Sequence, residues 1–170
     1  MKLRVYPDAI LTQICQPVND KVDNKLQEER IRLVSKMFKV MRKKRGCGLS
    51  APQVGFNIRM FVWLDQGCVQ AIWNPELRGV TGSSLSQEGC LSFPGIHVTI
   101  ERSTSAVLRG TGINGRPVQF VGNQLTTRIW QHEIDHLNGI SIIHHMNDEE
   151  AALNQDAIDM LLKHSTASKD

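Results

Sequence analysis

Residues 124–139 read QLTTRIWQHEIDHLNG, and the spacing inside this stretch predicts both a helix and a metal site. Leu125, Ile129, His132 and His136 follow steps of four, three and four, so they share one helix face, and the histidines continue an apolar row toward the core. Gly122 or Asn123 opens the helix, and Gly139 closes it as a C′ residue. The order His132-Glu133-x-x-His136 lets one helix present two imidazoles to a cation and a carboxylate to its water. A lone histidine on such a row is more often a satisfied core residue. Two imidazoles and a carboxylate buried together are costly unless each is paired, and a dication pairs all three.

Working outward, the chain of 170 residues suits one domain, residues 1–170, with a single core. It has no low-complexity segment and no repeat at a solenoid period. MKLRVYPDAIL at the start mixes charge with apolar residues, unlike a signal peptide, and no run of some 18 apolar residues argues for a membrane span. Cys15, Cys47, Cys68 and Cys90 are too widely spaced for a disulfide framework, which fits a reducing cytoplasm. The net charge of +3 is unevenly spread. Lys and Arg outnumber Asp and Glu by 12 to 5 in residues 1–45, match them at six each over 46–146, and fall to 2 against 6 in 147–170. The run KVMRKKRG reads first as a solvated helix end, where cations favour the negative end of the dipole, and only second as a nucleic-acid contact.

Helical spacing of Leu26, Ile31, Val34, Met37, Phe38 and Met41 predicts a first helix from Asp23 or Asn24 to Arg45, stopped by Gly46, with its methionines as core filler. IRMFVWL, CVQAIWNP, STSAVLRG and RPVQFVG read as antiparallel strands, the last two joined around Asn114-Gly115, where both residues tolerate positive φ. A third helix begins at Asn147 or Asp148, with Ala152, Leu153, Ile158, Leu161 and Leu162 as its docking face and a frayed end. The residues thus predict three helices and a β-rich middle of antiparallel strands.

A catalytic site of this kind needs three protein ligands and one open position. One large group of zinc proteases places its third histidine where this chain has Ile142. His144 and His145 miss that spacing and read as a surface strand end or loop, while Glu149 and Glu150 are better used in the first turn of the third helix. In QEGCLSFPG, Cys90 offers a thiolate, and Gly89 lets backbone approach a metal; the same cysteine equally reads as a buried structural one.

Three stretches in order, GCGLSAPQVG at 46–55, EGCLS at 88–92 and QHEIDHLNG at 131–139, resemble the signature motifs of the peptide deformylase family, and VYPDAILTQICQPV resembles its amino-terminal segment. The likeness extends through about residue 146. It implies an α+β fold, with antiparallel sheets packed around the central metal-binding helix beside an N-terminal and a C-terminal helix, and hydrolysis of the formyl group from N-formylmethionine on nascent chains. It also implies Cys90, His132 and His136 as metal ligands, with ferrous iron as the usual ion and zinc, nickel or cobalt as substitutes. Glu133 becomes the proton carrier, and the Gln53 amide and Leu91 backbone N–H become donors to the developing oxyanion. Gly48 and Gly89 would offer backbone hydrogen bonds to a peptide added strand-fashion, and Leu125 and Ile129 are candidates for the methionine pocket.

Ser50 stands where that family has alanine, and its hydroxyl is free to bond near the substrate. Cys47, in a variable position, is a bystander unless it is exposed beside the site, where oxidation would pair it with Cys90. The acidic segment 147–170 is unlike the basic helix with which bacterial members dock at the ribosome, which leaves the first helix as the basic surface for transient association. Neither a membrane nor a specific nucleic-acid sequence is expected as a partner. Two other classes remain: an internal zinc peptidase using the same Glu133, and a closed structural metal site with a fourth protein ligand.

Overall fold

The computed structural model describes residues 1–166; the expected fraying of the last residues lies outside these. Helix α1 spans Asn24–Lys43, with the Asp23 side chain capping it by accepting from the Leu26 N–H at 2.8 Å. Strands β1 (Gly48–Ser50), β2 (Met60–Asp65), β3 (Cys68–Thr81), β6 (Ser105–Thr111) and β7 (Pro117–Gly122) form one antiparallel sheet in the order β1-β2-β3-β6-β7. Strands β4 (Ser84–Cys90) and β5 (Phe93–Arg102) form a separate antiparallel pair. Helix α2 spans Gln124–Leu137 and α3 spans Asp148–Thr166.

The five-stranded sheet is covered on both faces. Alternation along β2 sends Met60 and Val62 to one side, against Met37 and Met41 of α1. Phe61 and Trp63 point to the other side, against Trp130 and Leu137 of α2. The methionines of the first helix are thus core, as their spacing predicts. Arg30 of α1 is buried too, its guanidinium lying over the Trp73 ring and donating to the Gly112 and Asn19 carbonyls. Around Asn114-Gly115 the turn occupies residues 112–116, and of the pair only Gly115 takes a positive φ, 78°. Asn114 instead accepts the Arg116 N–H with its side chain.

Two expectations about helix faces need correction. Leu125 does not face the core: it is 57% exposed, and Ile129 and His132 are half-buried. Trp130 and Leu137 meet the sheet, with Thr126, Thr127 and His136 buried too, whereas Leu125, Ile129, His132 and Glu133 border a cleft. On α3, Leu153 is 77% exposed, and Ala152 and Leu162 are exposed as well. That helix lies along β5 and docks by a narrow strip of Ala157, Ile158 and Leu161. Its polar anchors fix the alignment: Glu150 accepts the Thr99 N–H at 2.7 Å, and the Asn154 amide brackets the His97 backbone.

Among the described residues, no helix is long and apolar enough to cross a membrane. Burial pushes the Cys15 thiol up to about 11, whereas Cys47 and Cys68 are exposed. Iodoacetamide at pH 8, read by mass spectrometry, is therefore expected to label Cys47 and Cys68 in the native protein and to reach Cys15 only after denaturation.

Candidate metal centre

Helix α2 begins with a reciprocal cap: the Asn123 side chain accepts the Thr126 N–H at 3.0 Å, and Thr126 Oγ1 accepts the Asn123 N–H at 2.9 Å. It ends at Asn138, followed by Gly139 with φ 72°. A Cβ at Gly139 would lie 2.6 Å from the Thr12 carbonyl oxygen, so both backbone conformation and close approach demand glycine there. These two ends fix the phase of the helix and hence where His132 and His136 point.

The third component arrives on β4. The β4–β5 register is regular through Gly89 opposite His97 and then shifts, so that Cys90 pairs with Phe93 across a tight turn at Leu91-Ser92. The strand tip carries Cys90 to α2, where its Sγ lies 3.2 Å from His136 Nε2. The ligating atoms of Cys90, His132 and His136 all lie within 4.8 Å of one another. His132 donates from Nδ1 to Glu88 Oε2 at 3.0 Å, which leaves its Nε2 for a metal. Burial holds His136 well below the ordinary histidine range, which favours the neutral ring that a ligand requires, whereas, against the effect of burial, hydrogen bonds to Cys90 and Glu88 hold His132 well above it. A thiol and two imidazoles converging this closely are a donor set for a divalent ion, and the residues fit one.

Behind the site lies a charged network that sequence reading missed. Arg102 donates to both oxygens of Glu88, at 3.0 and 3.2 Å, and to Asp135 Oδ2 at 2.7 Å. Burial alone would raise the Glu88 carboxyl, but hydrogen bonds from His132 and Arg102 hold it down at about 2. His145, expected at the surface, is half-buried and bonds Asp135 Oδ2 at 2.9 Å, while His144 turns to Ser141. Neither histidine joins the candidate ligands. The one local signal was phase: Arg102 ends the alternating strand Ile96, Val98, Ile100, whose side chains all face inward.

Glu133 is 3% exposed, and its Oε2 has no hydrogen-bond partner. Burial pushes its carboxyl up to about 7, against the lowering influence of His132 and Ser50. Gly48 of β1 passes directly over it: a Cβ there would overlap Glu133 Oε1 and come within 2.8 Å of Ile129 Cγ2. The Ser50 hydroxyl and backbone N–H both donate to Gln53 Oε1 at 2.9 Å. That bond orients the Gln53 amide so that Nε2 faces Cys90 Sγ at 3.5 Å and Ser92 Oγ at 3.2 Å.

These groups open onto a cleft of about 440 Å³. Gly48, Gln53, Gly89, Cys90, Leu91, Leu125, Ile129, His132 and Glu133 all line it, whereas His136 sits buried behind the wall. Cys47 is exposed on the same wall, so the condition set for it by the sequence is met. Arg45, Gln87 and Arg128 line it too and were not anticipated.

The family model for polypeptide deformylase matches residues 1–152. The chain belongs to that family. A peptide deformylase of Hydrogenovibrio crunogenus is 37% identical over 147 residues, spanning 84% of this chain and 83% of the relative. A crystal structure of Plasmodium falciparum peptide deformylase superposes with a TM-score of 0.89 at 31% identity, covering 99% of both chains. Peptide deformylase 1B of Arabidopsis thaliana, crystallised with an inhibitor, gives 0.88 at 32% identity over 99% of this chain and 93% of that one. The chain is therefore a deformylase-family enzyme with an α+β fold, and its Cys90, His132 and His136 group supports binding of a divalent metal.

In a deformylase built this way, Arg102 keeps Glu88 in place to orient His132. Replacing it by methionine leaves Glu88 buried and half-paired, so Arg102→Met is expected to cost about 3–5 kcal/mol of stability and to weaken metal retention about 10–100-fold. Denaturant unfolding and metal analysis after dialysis check both; unchanged metal content in the folded variant would contradict the role given to Arg102.

Proposed function

We propose that the chain, acting as one catalytic domain over residues 1–170, hydrolyses the formyl group from N-formylmethionine at the amino terminus of nascent polypeptides and releases formate. The observation that carries this reading is the meeting of three ligating atoms within 4.8 Å beside a buried carboxylate with an unpartnered oxygen. A divalent cation bound by Cys90, His132 and His136 supplies Lewis acidity that brings a water's pKa toward neutrality. Family resemblance favours ferrous iron, with zinc, nickel or cobalt as substitutes.

Glu133 accepts the proton of the attacking water as its oxygen bonds to the formyl carbon. Negative charge then develops on the former carbonyl oxygen. The Gln53 Nε2 and the Leu91 backbone N–H donate to it, and both are neutral, so neither carries a proton away. Glu133 returns its proton to the amine nitrogen as the carbon–nitrogen bond breaks, which yields formate and a free amino terminus. The backbones at Gly48 and Gly89 bracket an extended peptide, and Leu125 and Ile129 contact the methionine side chain.

The internal-peptidase reading lacks support, because Ile142, where that group has its third ligand, carries no donor atom and is buried among Leu11, Phe93 and Ile96. The closed-site reading lacks a fourth ligand among the described residues. A cytoplasmic location fits the free thiols and the substrate. Transient ribosome association through the basic residues of α1 fits the charge distribution better than docking through the acidic residues after Asn147. Neither a membrane nor a specific nucleic-acid sequence enters this reading.

Anaerobically prepared, metal-loaded protein is expected to release formate from formyl-Met-Ala-Ser and to leave an unformylated peptide uncut. Glu133→Ala is expected to lower kcat by about 10²–10⁴-fold, and a chelator to abolish turnover. Internal cleavage of the unformylated peptide, or full activity in Glu133→Ala, would contradict the reading.

A further inference from the structure

The cleft carries two cations to which the reaction above gives no task. Arg128 lies on α2 four residues before His132 and three after Leu125, so it shares the helix face that borders the cleft. Its Nε is buried without a hydrogen-bond partner, and its guanidinium takes part in no ion pair among the described residues. Arg45 lines the same cleft from the segment after α1. Its φ is 59°, a left-handed conformation unusual outside glycine, held by the following Gly46 N–H bonding back to the Met41 carbonyl at 3.0 Å.

No acid of the cleft neutralises this pair. Glu88 is engaged by Arg102 and His132, and Glu133 is buried against Gly48. A guanidinium donor kept out of water without a partner is costly, and such a group asks for the ligand that would satisfy it. A formylated amino terminus carries no charge and offers the arginines only neutral carbonyl oxygens. A charged acceptor would come from further along the peptide.

We propose that Arg128, with Arg45 beside it, recognises a carboxylate of the substrate peptide, so that this enzyme favours formylmethionyl chains with an acidic group within the first residues after methionine. This rests on the deformylase reading and names its substrate class. Arg128 lines the cleft together with Leu125 and Ile129, the candidates for the methionine pocket, and its planar head is suited to donate paired hydrogen bonds to a carboxylate. An acidic side chain and the free carboxyl terminus of a short peptide share that chemistry.

The test compares kcat/KM of metal-loaded protein on five substrates: the amides of formyl-Met-Ala-Ser, formyl-Met-Glu-Ser, formyl-Met-Ala-Glu and formyl-Met-Lys-Ser, and the free acid of formyl-Met-Ala-Ser. A glutamate amide is expected to exceed the lysine amide by about tenfold or more, carried in KM. A gain confined to the free acid assigns the contact to the terminal carboxylate and supports the same chemistry. Arg128→Met and Arg45→Met are expected to shrink these ratios, with Arg128→Lys restoring part of the preference. Ratios within one variant are insensitive to how much of it is folded. Equal kcat/KM on acidic, neutral and basic peptides, or a preference that survives both methionine variants, overturns the inference while leaving deformylation standing. Failure to turn over any formylated peptide strikes the deformylase reading itself, and this inference with it.

Discussion

Everything at the metal centre depends on where the tip of a two-stranded hairpin sits relative to one helix, and Arg102 fixes that relation. A lone pair of strands is marginal in water, and among the described residues β4–β5 shares no strand ladder with the larger sheet. Arg102 binds Glu88 on the hairpin and Asp135 on α2 at once. Next to it, Ser103 and Gln131 exchange hydrogen bonds between the same two elements. Burying such charges adds little net stability, because desolvation offsets the attraction. Its consequence is positional: Cys90 is held against His136, and Glu88 against His132, within the tolerance that a coordination sphere demands.

A second constraint acts from the opposite wall. β1 is only three residues long, yet it places Gly48 over Glu133 and Ser50 against Gln53. The Glu133 carboxyl and the Gln53 amide are thus set by two positions, 48 and 50, of one short strand. Ser50 contributes two donors to one oxygen, and so decides which end of the Gln53 amide faces the sulfur. The alanine of the family pattern would retain the backbone donor and lose the hydroxyl.

The sequence made the central helix, its ends and its metal role legible, because capping residues and the His-Glu-x-x-His spacing are local. It could not supply the third ligand from spacing: Cys90 is 42 residues before His132 in the chain, and only the resemblance joined them. Periodicity identified the row of Leu125, Ile129, His132 and His136 but not what lay across from it, since an apolar row is the same whether it meets a core or a cleft. The supporting charges Glu88, Arg102 and Asp135 are scattered, and each alone reads as a surface residue. Leu153 was placed on the docking face of α3 because helical spacing marks apolar positions without revealing how narrow the contact strip is.

Whether Cys90, His132 and His136 hold a metal with one position left open is read by X-ray absorption on the zinc-loaded protein. One sulfur at about 2.3 Å is expected with two imidazole nitrogens and one exchangeable light ligand at about 2.0–2.1 Å, the sulfur disappearing in Cys90→Ser. A shell without sulfur, or one filled by four protein ligands, would contradict that assignment.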